Sequence, residues 1–258
     1  MRIKMIVTDL DRTLLRTDKT ISDYTACVFN RCRSMGMKIV FATARPKRTI
    51  GSFIGMIPTD AVILHNGAVI YIGDNLFHCS GIDSHVKNDI LQSICRDYPE
   101  TTLSVEINDV LYANFDVSRL WDNTKMKRSN FTDLPDEPAD KIIVGVSSPD
   151  DITRFSKYLT DDLYIEISEG KLGLIMNKGA AKHAAVKKVA EQFGFDVSEI
   201  AAFGDDLNDI GMLRECGIGV AVSNALGEVK AAADAVCDSN DNDGVARWIE
   251  ENLLKETL

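Results

Sequence analysis

The chain begins with an apolar run that leads into two acids, Met5-Ile6-Val7-Thr8-Asp9-Leu10-Asp11-Arg12-Thr13, and the rest of the fold is organised around this segment. The apolar, β-branched run from Ile3 to Val7 predicts a strand that is buried on both faces. Two carboxylates, Asp9 and Asp11, follow directly where this strand ends. In open α/β sheets the ligand crevice lies outside the carboxyl ends of the strands, so the two acids are expected in a functional site.

The spacing of Asp9 and Asp11 directs both side chains to the same side of an extended chain. One aspartate can attack phosphorus and form an aspartyl-phosphate, while the other donates a proton to the departing alcohol and later activates water. Two neighbouring carboxylates need a cation, and Mg²⁺ suits them because it binds carboxylates together with a substrate phosphate. The alternative is that both acids only cap a turn after the strand.

The composition is that of an ordinary globular protein, with 45% hydrophobic and 26% charged residues in a chain of 258. This length predicts either one large domain or a core with an insertion. The formal net charge of −10 argues against a broad nucleic-acid surface, so a phosphate substrate would need a local positive site. No apolar run approaches the roughly 18 residues of a membrane span. The six cysteines show no Cys-x-x-Cys spacing, which favours reduced thiols in the cytoplasm.

A second buried strand is predicted over Lys38 to Thr43, and a helix that opens near Ser22 and ends near Gly36 connects the two strands. The second strand ends in Thr43-Ala44-Arg45. A hydroxyl and a guanidinium at the tip of a neighbouring parallel strand can hold the phosphate that the aspartate attacks. Alternatively, Thr43 caps a turn and Arg45 is solvated.

From about Ile82 to Asn177 the alternation of strands and helices disappears. The pattern predicts an amphipathic helix over Asp83 to Tyr98, a hairpin over Leu103 to Phe115 and a second, shorter helical stretch before a Pro-rich segment, Leu134 to Pro138. It then predicts a strand over Lys141 to Ser147, a helix over Pro149 to Leu159, and a pair of strands over Leu163 to Met176 that turn near Gly170. Helices with antiparallel hairpins indicate a separate α+β domain. The predicted domains are therefore a core of residues 1–81 and 178–258 and an insertion of residues 82–177.

Helical periodicity returns at Gly179, with Lys182 in the first turn. A lysine near the positive end of a helix dipole is explained by a local anion, although a surface lysine is the alternative. The strand Ile200 to Phe203 then ends in Gly204-Asp205-Asp206-Leu207-Asn208-Asp209. If a helix starts here, Asp205, Asn208 and Asp209 share one face and outline a hard-metal site, or they form only an acid-rich helix start.

These motifs together resemble those of the haloacid dehalogenase-like hydrolases, and most closely the Cof-type sugar phosphatases with a type IIB cap. Four spaced motifs carry the resemblance: Asp9-Leu-Asp-Arg-Thr13, Thr43-Ala-Arg45, Lys182 and Gly204-Asp-Asp-Leu-Asn-Asp209. The resemblance implies an α/β fold with a doubly wound, Rossmann-like parallel-sheet core and an inserted α+β cap of type C2B. Further matches are Asn66-Gly67-Ala68, the stretch from Gly219 to Ala225, and Asp243-Gly244-Val245.

The resemblance also implies roles for the matched residues. Asp9 would be the nucleophile and a Mg²⁺ ligand, Asp11 would be the general acid/base with its backbone carbonyl on the metal, and Asp205 would complete the metal site. Lys182 fits the family's distance to the Gly-Asp motif, whereas Lys178 does not. The phosphate-binding residues would be Thr43, Ala44, Arg45, Lys182 and Asn208, with Asp209 and Thr13 behind them.

Three residues depart from the family pattern: Arg12 and Ala44 stand where glycine is usual, and His183 follows Lys182 where glycine is common. None of these changes removes a functional group. Ala44 can shift the loop that presents Thr43, and Arg12 adds a positive charge near the entrance of the site. Asp11 must be protonated when the leaving group departs, so we expect its pKa above the usual value of about 3.9.

The sequence therefore predicts a cytoplasmic, Mg²⁺-dependent phosphatase that hydrolyses small phosphorylated metabolites, sugar phosphates first, through an aspartyl-phosphate. A sugar-phosphate mutase and a catalytically silent sugar-phosphate-binding regulator are the alternatives. The insertion is expected to close over the site and select the leaving group. We expect a monomer or weak homo-oligomer without nucleic-acid or membrane partners. Trp121, Lys125, Lys127 and Arg128 are candidates for substrate contact, or else a solvated helix face.

Overall fold

The computed structural model describes residues 3–121, 124–148, 151–168 and 171–254. The strands and helices are, in chain order, β1 (Met5–Thr8), α1 (Asp23–Ser34), β2 (Lys38–Ala42), α2 (Gly51–Met56), β3 (Ala61–Leu64), β4 (Val69–Ile72), β5 (Asn75–Cys79), α3 (Ser84–Asp97), β6 (Leu103–Ile107), β7 (Val110–Ala113), β8 (Lys127–Arg128), β9 (Lys141–Gly145), α4 (Asp151–Ser156), β10 (Leu163–Ser168), β11 (Leu172–Asn177), α5 (Lys182–Phe193), β12 (Ile200–Gly204), α6 (Ile210–Glu215), β13 (Ile218–Val222), α7 (Gly227–Ala232), β14 (Ala235–Cys237) and α8 (Gly244–Asn252). Single 3₁₀ turns include His65–Gly67 and Leu207–Asp209.

The chain divides into two compact units. The first unit contains the residues up to His78 and those from Ala181 onward, and the second contains Cys79–Ala180. The predicted insertion, residues 82–177, lies inside the second unit.

The sheet of the first unit has the strand order β14-β13-β12-β1-β2-β3-β4-β5. Strand β1 pairs in parallel with both β12 and β2, and the parallel pairing continues to β13, β14 and β3. Strand β4 runs antiparallel to β3. Because β1 lies between β12 and β2, the carboxyl ends of these three strands meet at one edge of the sheet. This is the doubly wound arrangement that was predicted.

Residues close to each other in the sequence set the bounds of β1 and of α1, the helix that connects β1 to β2. The four residues of β1 are all buried, as expected for a strand that is covered on both faces. The Ser22 hydroxyl caps α1 by accepting a hydrogen bond from the N–H of Thr25, and Gly36 follows the helix with a φ of +86°. Helix α1 packs with α8, and α5 packs with α6. The predicted helix start at Ser22 and stop at Gly36 are both confirmed.

The second unit is built on a separate sheet with the order β10-β11-β9-β6-β7-β8. Helix α3 buries Ile90, Leu91 and Ile94 in an apolar cluster with residues of β6 and β9. The hairpin of β6 and β7 turns at Asn108 and Asp109, whose φ angles of +49° and +62° are those of a tight hairpin turn. The predicted amphipathic helix and hairpin are confirmed.

The second, shorter helical stretch predicted before the Pro-rich segment is a single 3₁₀ turn, Val117–Arg119, and the helix face considered for Lys125, Lys127 and Arg128 is wrong. Lys127 and Arg128 instead form β8, a short strand that pairs in parallel with Tyr112 and Ala113 of β7. The error arises because strand pairing joins residues that are distant in sequence, which local periodicity does not report. The expected turn at Gly170 lies outside the described residues, as does Pro149, at which a helix was predicted to begin. None of the described helices has the length and apolar character needed to cross a membrane.

Candidate active site

Asp9 lies directly after β1 at the centre of the sheet edge. Its backbone N–H donates to the carbonyl of Phe203 in β12, and its side chain is buried. Oδ1 accepts a hydrogen bond of 2.6 Å from Nζ of Lys182, whereas Oδ2 has no hydrogen bond within the described part of the chain. Burial raises the pKa of Asp9 well above its ordinary value, and the positive charge of Lys182 acts against this rise.

Lys182 is the first residue of α5, and it is almost completely buried. Its Nζ donates to Asp9 and, over 2.7 Å, to Oδ1 of Asp209. Burial disfavours the charged form of Lys182, but the two carboxylates outweigh it and raise the pKa above its ordinary value. The local anion expected at this helix start is therefore present. Lys178 instead donates to the backbone carbonyl of Asp161.

The segment after β12 differs from the prediction. Asp205 precedes a single 3₁₀ turn, Leu207–Asp209, and so it does not share a helical face with the residues of that turn. The reason is that Oδ2 of Asp209 accepts the backbone N–H groups of Asp205 and Asp206, at 2.9 and 3.1 Å, and holds the chain in a tight turn. Gly204 permits this turn, because a Cβ atom there would lie 2.4 Å from Cβ of Asp209.

Asp205 is also buried, and its two oxygens differ. Oδ1 accepts a hydrogen bond of 2.7 Å from the hydroxyl of Thr13. Oδ2 lies 3.9 Å from Nε of Arg12, which is longer than a hydrogen bond. Burial raises the pKa of Asp205 to about 6, although the hydrogen bond from Thr13 opposes the rise. Asp205 is therefore easily ionised near neutral pH.

Asp9, Asp205 and Asp209 form a buried cluster that can hold a metal ion. Each offers a carboxylate oxygen, and the three oxygens lie within 4.8 Å of one another. Both oxygens of Asp209 are already engaged by donors, so Oδ2 of Asp9 and Oδ2 of Asp205 are the open ones. In addition, the buried Oδ1 of Asn208 has no hydrogen-bond partner among the described residues. Such a set of oxygens fits a hard cation.

Asp11 does not join this cluster with its side chain. Nε and Nη2 of Arg45 donate to its two oxygens over 2.6 and 2.7 Å, and Nζ of Lys19 donates to Oδ1 over 2.7 Å. Burial alone would raise the pKa of Asp11, but the hydrogen bonds and charges of Arg45 and Lys19 lower it below its ordinary value. The expectation of a raised pKa is therefore wrong in this structure, because these two cations contact the acid.

The motif after β2 presents a buried hydroxyl and a half-buried guanidinium. The backbone N–H of Thr43 donates to Ile63, and the hydroxyl oxygen of Thr43 accepts the backbone N–H of Arg45 over 3.2 Å. The guanidinium of Arg45 lies 5.3 Å from the ring centroid of Phe53 while it binds Asp11. Thr43, Ala44 and Arg45 therefore lie at the same sheet edge as Asp9.

The family-like pair Asn66-Gly67 lies in the turn between β3 and β4 and also contacts the site. Asn66 accepts a hydrogen bond of 3.0 Å from Nδ2 of Asn208, and its own N–H donates to the carbonyl of Thr43. Gly67 has a φ of +112°, and a Cβ atom there would lie 2.6 Å from the carbonyl oxygen of Ala181. No role in the site was predicted for Asn66 from the sequence. Its presence in a family-like block was the available signal.

The departures from the family pattern have separate physical consequences. Arg12 has a φ of +61°, a conformation that favours glycine, whereas Ala44 is not among the described residues with a positive φ. His183 packs against Gly211. A Cβ atom added to Gly211 would lie 2.5 Å from Nδ1 of His183. Arg12 is therefore the departure with a conformational cost.

The two family-like blocks near the end of the chain hold the loop that follows β1. Asp243 accepts hydrogen bonds of 3.2 and 2.7 Å from the guanidinium of Arg16. Nδ2 of Asn224 donates to the backbone carbonyl of Arg12 over 2.7 Å. These contacts link residues more than two hundred positions apart and restrain the loop that carries Asp11.

The candidates for substrate contact in the second unit are of two kinds. Trp121 packs against apolar residues on one face of the sheet, among them Ile143 and Leu172. Lys125, Lys127 and Arg128 are exposed, and Nζ of Lys127 lies 5.5 Å from the ring centroid of Tyr112.

Residues 6–249 match the family model of the haloacid dehalogenase-like hydrolases. The chain belongs to this family. It is 30% identical to the phosphatase YwpJ of Bacillus subtilis over 97% of its own length and 100% of that protein. It is 28% identical to the 5-amino-6-(5-phospho-D-ribitylamino)uracil phosphatase YitU of the same organism, over 96% of each chain.

The solved structures agree with the predicted architecture. One of them, a subclass IIB sugar phosphatase of this superfamily, superimposes with a TM-score of 0.83 at 22% identity and covers 96% of this chain and 98% of that chain. The predicted α/β fold and the resemblance to the Cof-type, subclass IIB hydrolases are confirmed. Because the chain belongs to this hydrolase family and its relatives are phosphatases, it is an enzyme of the phosphatase type.

Proposed function

We propose that this hydrolase is a Mg²⁺-dependent phosphatase that hydrolyses small phosphorylated metabolites through an aspartyl-phosphate on Asp9. One observation carries the proposal: Asp9 is buried at the end of the central strand, with Oδ1 bound to Lys182, and its carboxylate clusters with those of Asp205 and Asp209. An open carboxylate oxygen at this position is suited to attack phosphorus.

The cation site consists of Asp9 and Asp205 in this proposal, together with the backbone carbonyl of Asp11. Asp209 supports the site by orienting Lys182 and by holding the turn that carries Asp205. Thr13 orients Asp205 through its hydroxyl. Bound Mg²⁺ would supply positive charge that keeps the buried carboxylates ionised and neutralises the transferring phosphoryl group.

The phosphoryl group would be held by residues around Asp9. Lys182 supplies a fixed positive charge, and Thr43, Ala44 and Arg45 supply a hydroxyl, backbone groups and a guanidinium at the end of β2. Asn208 completes the set, with Asn66 fixing its orientation. Because transfer of a phosphoryl group depends mainly on positioning and on charge, such a preorganised set is the main requirement.

Asp11 serves as the general acid/base in the proposed reaction. It would protonate the departing alcohol and then accept a proton from the water that attacks the aspartyl-phosphate. In this structure both of its oxygens are bound by Arg45 and Lys19. At least one of these hydrogen bonds must open before Asp11 can transfer a proton.

Sugar phosphates are the first substrates to test. The support is the similarity to a subclass IIB sugar phosphatase and to an enzyme whose substrate is a phosphorylated ribitylamino compound. The proposal includes residues 82–177 as the domain that selects the leaving group, with Trp121, Lys125, Lys127 and Arg128 as candidate contacts. It also includes a cytoplasmic monomer or weak homo-oligomer, and the free thiols of all six described cysteines support a reducing compartment.

The experiment that tests this proposal measures phosphate release from an aryl phosphate and from a panel of sugar phosphates. We expect release by the wild type with Mg²⁺, none with a chelator, and a loss of at least about a thousandfold in Asp9→Asn, because the amide is no nucleophile. Product analysis in the same assay separates hydrolysis, which yields free phosphate, from a mutase reaction, which yields an isomeric sugar phosphate.

The matched control is Glu191→Gln, which removes one carboxylate from the exposed side of α5. It should retain wild-type release, and circular dichroism should show that both variants fold. Full activity of Asp9→Asn, or full activity in the chelator, would refute the proposal. Absence of release from every compound, together with binding of sugar phosphates, would indicate a regulator.

A further inference from the structure

Arg12 has a strained backbone in the loop that carries the site. The N–H of Thr13 donates to the carbonyl of Leu10, and Arg12 lies inside this turn with a φ of +61°. Glycine adopts this conformation without strain, whereas a residue with a long side chain such as arginine adopts it only at a cost. The hydrogen bond from Asn224 to the carbonyl of Arg12 holds the backbone in place. A strained residue that persists next to a reactive site suggests a function for its side chain.

The contacts of the neighbouring cations set Arg12 apart. Among the described residues, four cations contact the carboxylates around Asp9. Lys182 binds Asp9 and Asp209 at 2.6 and 2.7 Å, and Arg45 and Lys19 bind Asp11 at 2.6 to 2.7 Å. Arg12 approaches only Asp205, at 3.9 Å. Three of the four cations are therefore engaged in short hydrogen bonds, and Arg12 is the one that is not.

The guanidinium of Arg12 is also accessible, since its side chain is 63% exposed. Its neighbour, Oδ2 of Asp205, is the open oxygen that the proposed cation site would use. A cation on that oxygen would repel the guanidinium and remove the attraction that Asp205 exerts on it. In a protein with a net charge of −10, an exposed guanidinium at the active-site loop is suited to an anionic ligand.

We propose that Arg12 is a specificity-determining residue that selects phosphate monoesters whose leaving group carries a second negative charge, such as a carboxylate or a further phosphate. The inference deepens the proposed phosphatase function and rests on it. The reacting phosphoryl group has Lys182 as its buried cation, so the exposed guanidinium serves the leaving group. A bidentate contact of guanidinium with carboxylate or phosphate gives this selection its geometry.

The test compares two ligands that differ in one charge. They are the non-hydrolysable phosphonate analogues of glycerol 3-phosphate and of 3-phosphoglycerate, in which a neutral hydroxymethyl group is replaced by a carboxylate. Dissociation constants are measured by calorimetry with Mg²⁺ for the wild type, Arg12→Gly and Arg12→Lys. We expect the wild type to prefer the carboxylate analogue about tenfold, Arg12→Gly to lose this preference, and Arg12→Lys to keep part of it.

Arg12→Gly relieves the strained φ, so it should fold and should unfold at a temperature no lower than the wild type. The matched control is Arg33→Ala, which removes an exposed guanidinium from α1 and should keep the wild-type preference. Equal preferences in wild type and Arg12→Gly would overturn the inference. An equal weakening for both analogues in Arg12→Gly would overturn it too, because it would indicate a role in the phosphate contact or in the loop.

The binding experiment is independent of turnover. Failure of the phosphatase proposal would appear as absent phosphate release in the separate assay, whereas failure of the Arg12 inference would appear as an unchanged ratio of the two dissociation constants. A second readout is the competition of the same two analogues against aryl phosphate hydrolysis, which should give the same ratio.

Discussion

Each unit of the molecule contains a buried lysine, and the two lysines bind different kinds of acceptor. In the first unit, Lys182 donates to the carboxylates of Asp9 and Asp209. In the second unit, Lys87 of α3 is equally buried, but it donates to the backbone carbonyls of Pro135 and Glu137 over 2.6 and 2.9 Å. Burial lowers the pKa of Lys87, whereas the carboxylates raise the pKa of Lys182.

Burial of a charged side chain therefore does not by itself indicate function. Lys87 connects a loop to a helix, because backbone carbonyls in a Pro-rich segment lack partners in a sheet or helix. Lys182 lies among more acids than it can neutralise, since Asp9, Asp205 and Asp209 cluster there. The excess of negative charge indicates a site that binds a further cation.

The largest effect is expected from Lys182→Met. Removal of the amine leaves Asp9 and Asp209 without their buried cation, and the transferring phosphoryl group without its fixed positive charge. We expect kcat to fall about a thousandfold or more. Steady-state kinetics on the aryl phosphate measure the change.

The control for this variant is Lys187→Met, an exposed lysine of the same helix, which should retain wild-type kcat. Lys182→Arg keeps the charge but not the shape, and it should fold even if Lys182→Met does not. Retention of more than about a tenth of kcat in Lys182→Met would contradict the comparison.

A second test extends the comparison to one buried acid from each unit. Burial raises the pKa of Asp205 to about 6, and burial together with Glu106 raises the pKa of Asp140 to about 7. Both values exceed the unfolded value of about 3.9, so the folded state binds these protons more tightly. Their contribution to stability is therefore full below pH about 4 and is lost as pH rises to about 6 for Asp205 and about 7 for Asp140.

Urea unfolding without Mg²⁺ between pH 4 and 8 measures this loss. Asp205→Asn should make the fall in unfolding free energy between pH 4 and 8 smaller by up to about 3 kcal/mol. Asp140→Asn should make it smaller by up to about 4 kcal/mol. Added Mg²⁺ should restore stability above pH 6 in the wild type and in Asp140→Asn, because binding stabilises the folded state. Restoration of the same size in Asp205→Asn would show that Asp205 is not part of the metal site.

The smallest effect is expected from Lys87→Met. Loss of the amine leaves the carbonyls of Pro135 and Glu137 without their buried donor, which should lower the free energy of unfolding by about 2 kcal/mol. The value of kcat should change less than about twofold, since no chemistry is assigned to Lys87. Chemical denaturation and kinetics on one preparation measure both. A large fall in kcat with unchanged stability would reverse the roles assigned to the two lysines.

The sequence predicted the parts of the fold that depend on local signals. Ser22 and Gly36 bound α1 because capping depends on neighbours three residues away, and the turn at Asn108 and Asp109 depends on their own backbone preferences. It failed at Lys127 and Arg128, whose strand depends on pairing with β7. After β12 the sequence placed Asp205 on a helix face only if a helix began there, whereas the carboxylate of Asp209 holds Asp205 in the turn before Leu207.

The positions of Asp9 and Asp205 at strand ends follow from the sequence alone, because buried apolar runs end there and parallel strands share an edge. The contacts of the side chains in the site, in contrast, depend on the folded chain. Folding brings together residues that are far apart in the sequence. It paired Asp11 with Arg45, 34 positions away, and Asn66 with Asn208, 142 positions away. The physical reason is that hydrogen bonds and charge pairs depend on distances in space, whereas the periodicity of a sequence reports only which face of its own element a residue occupies.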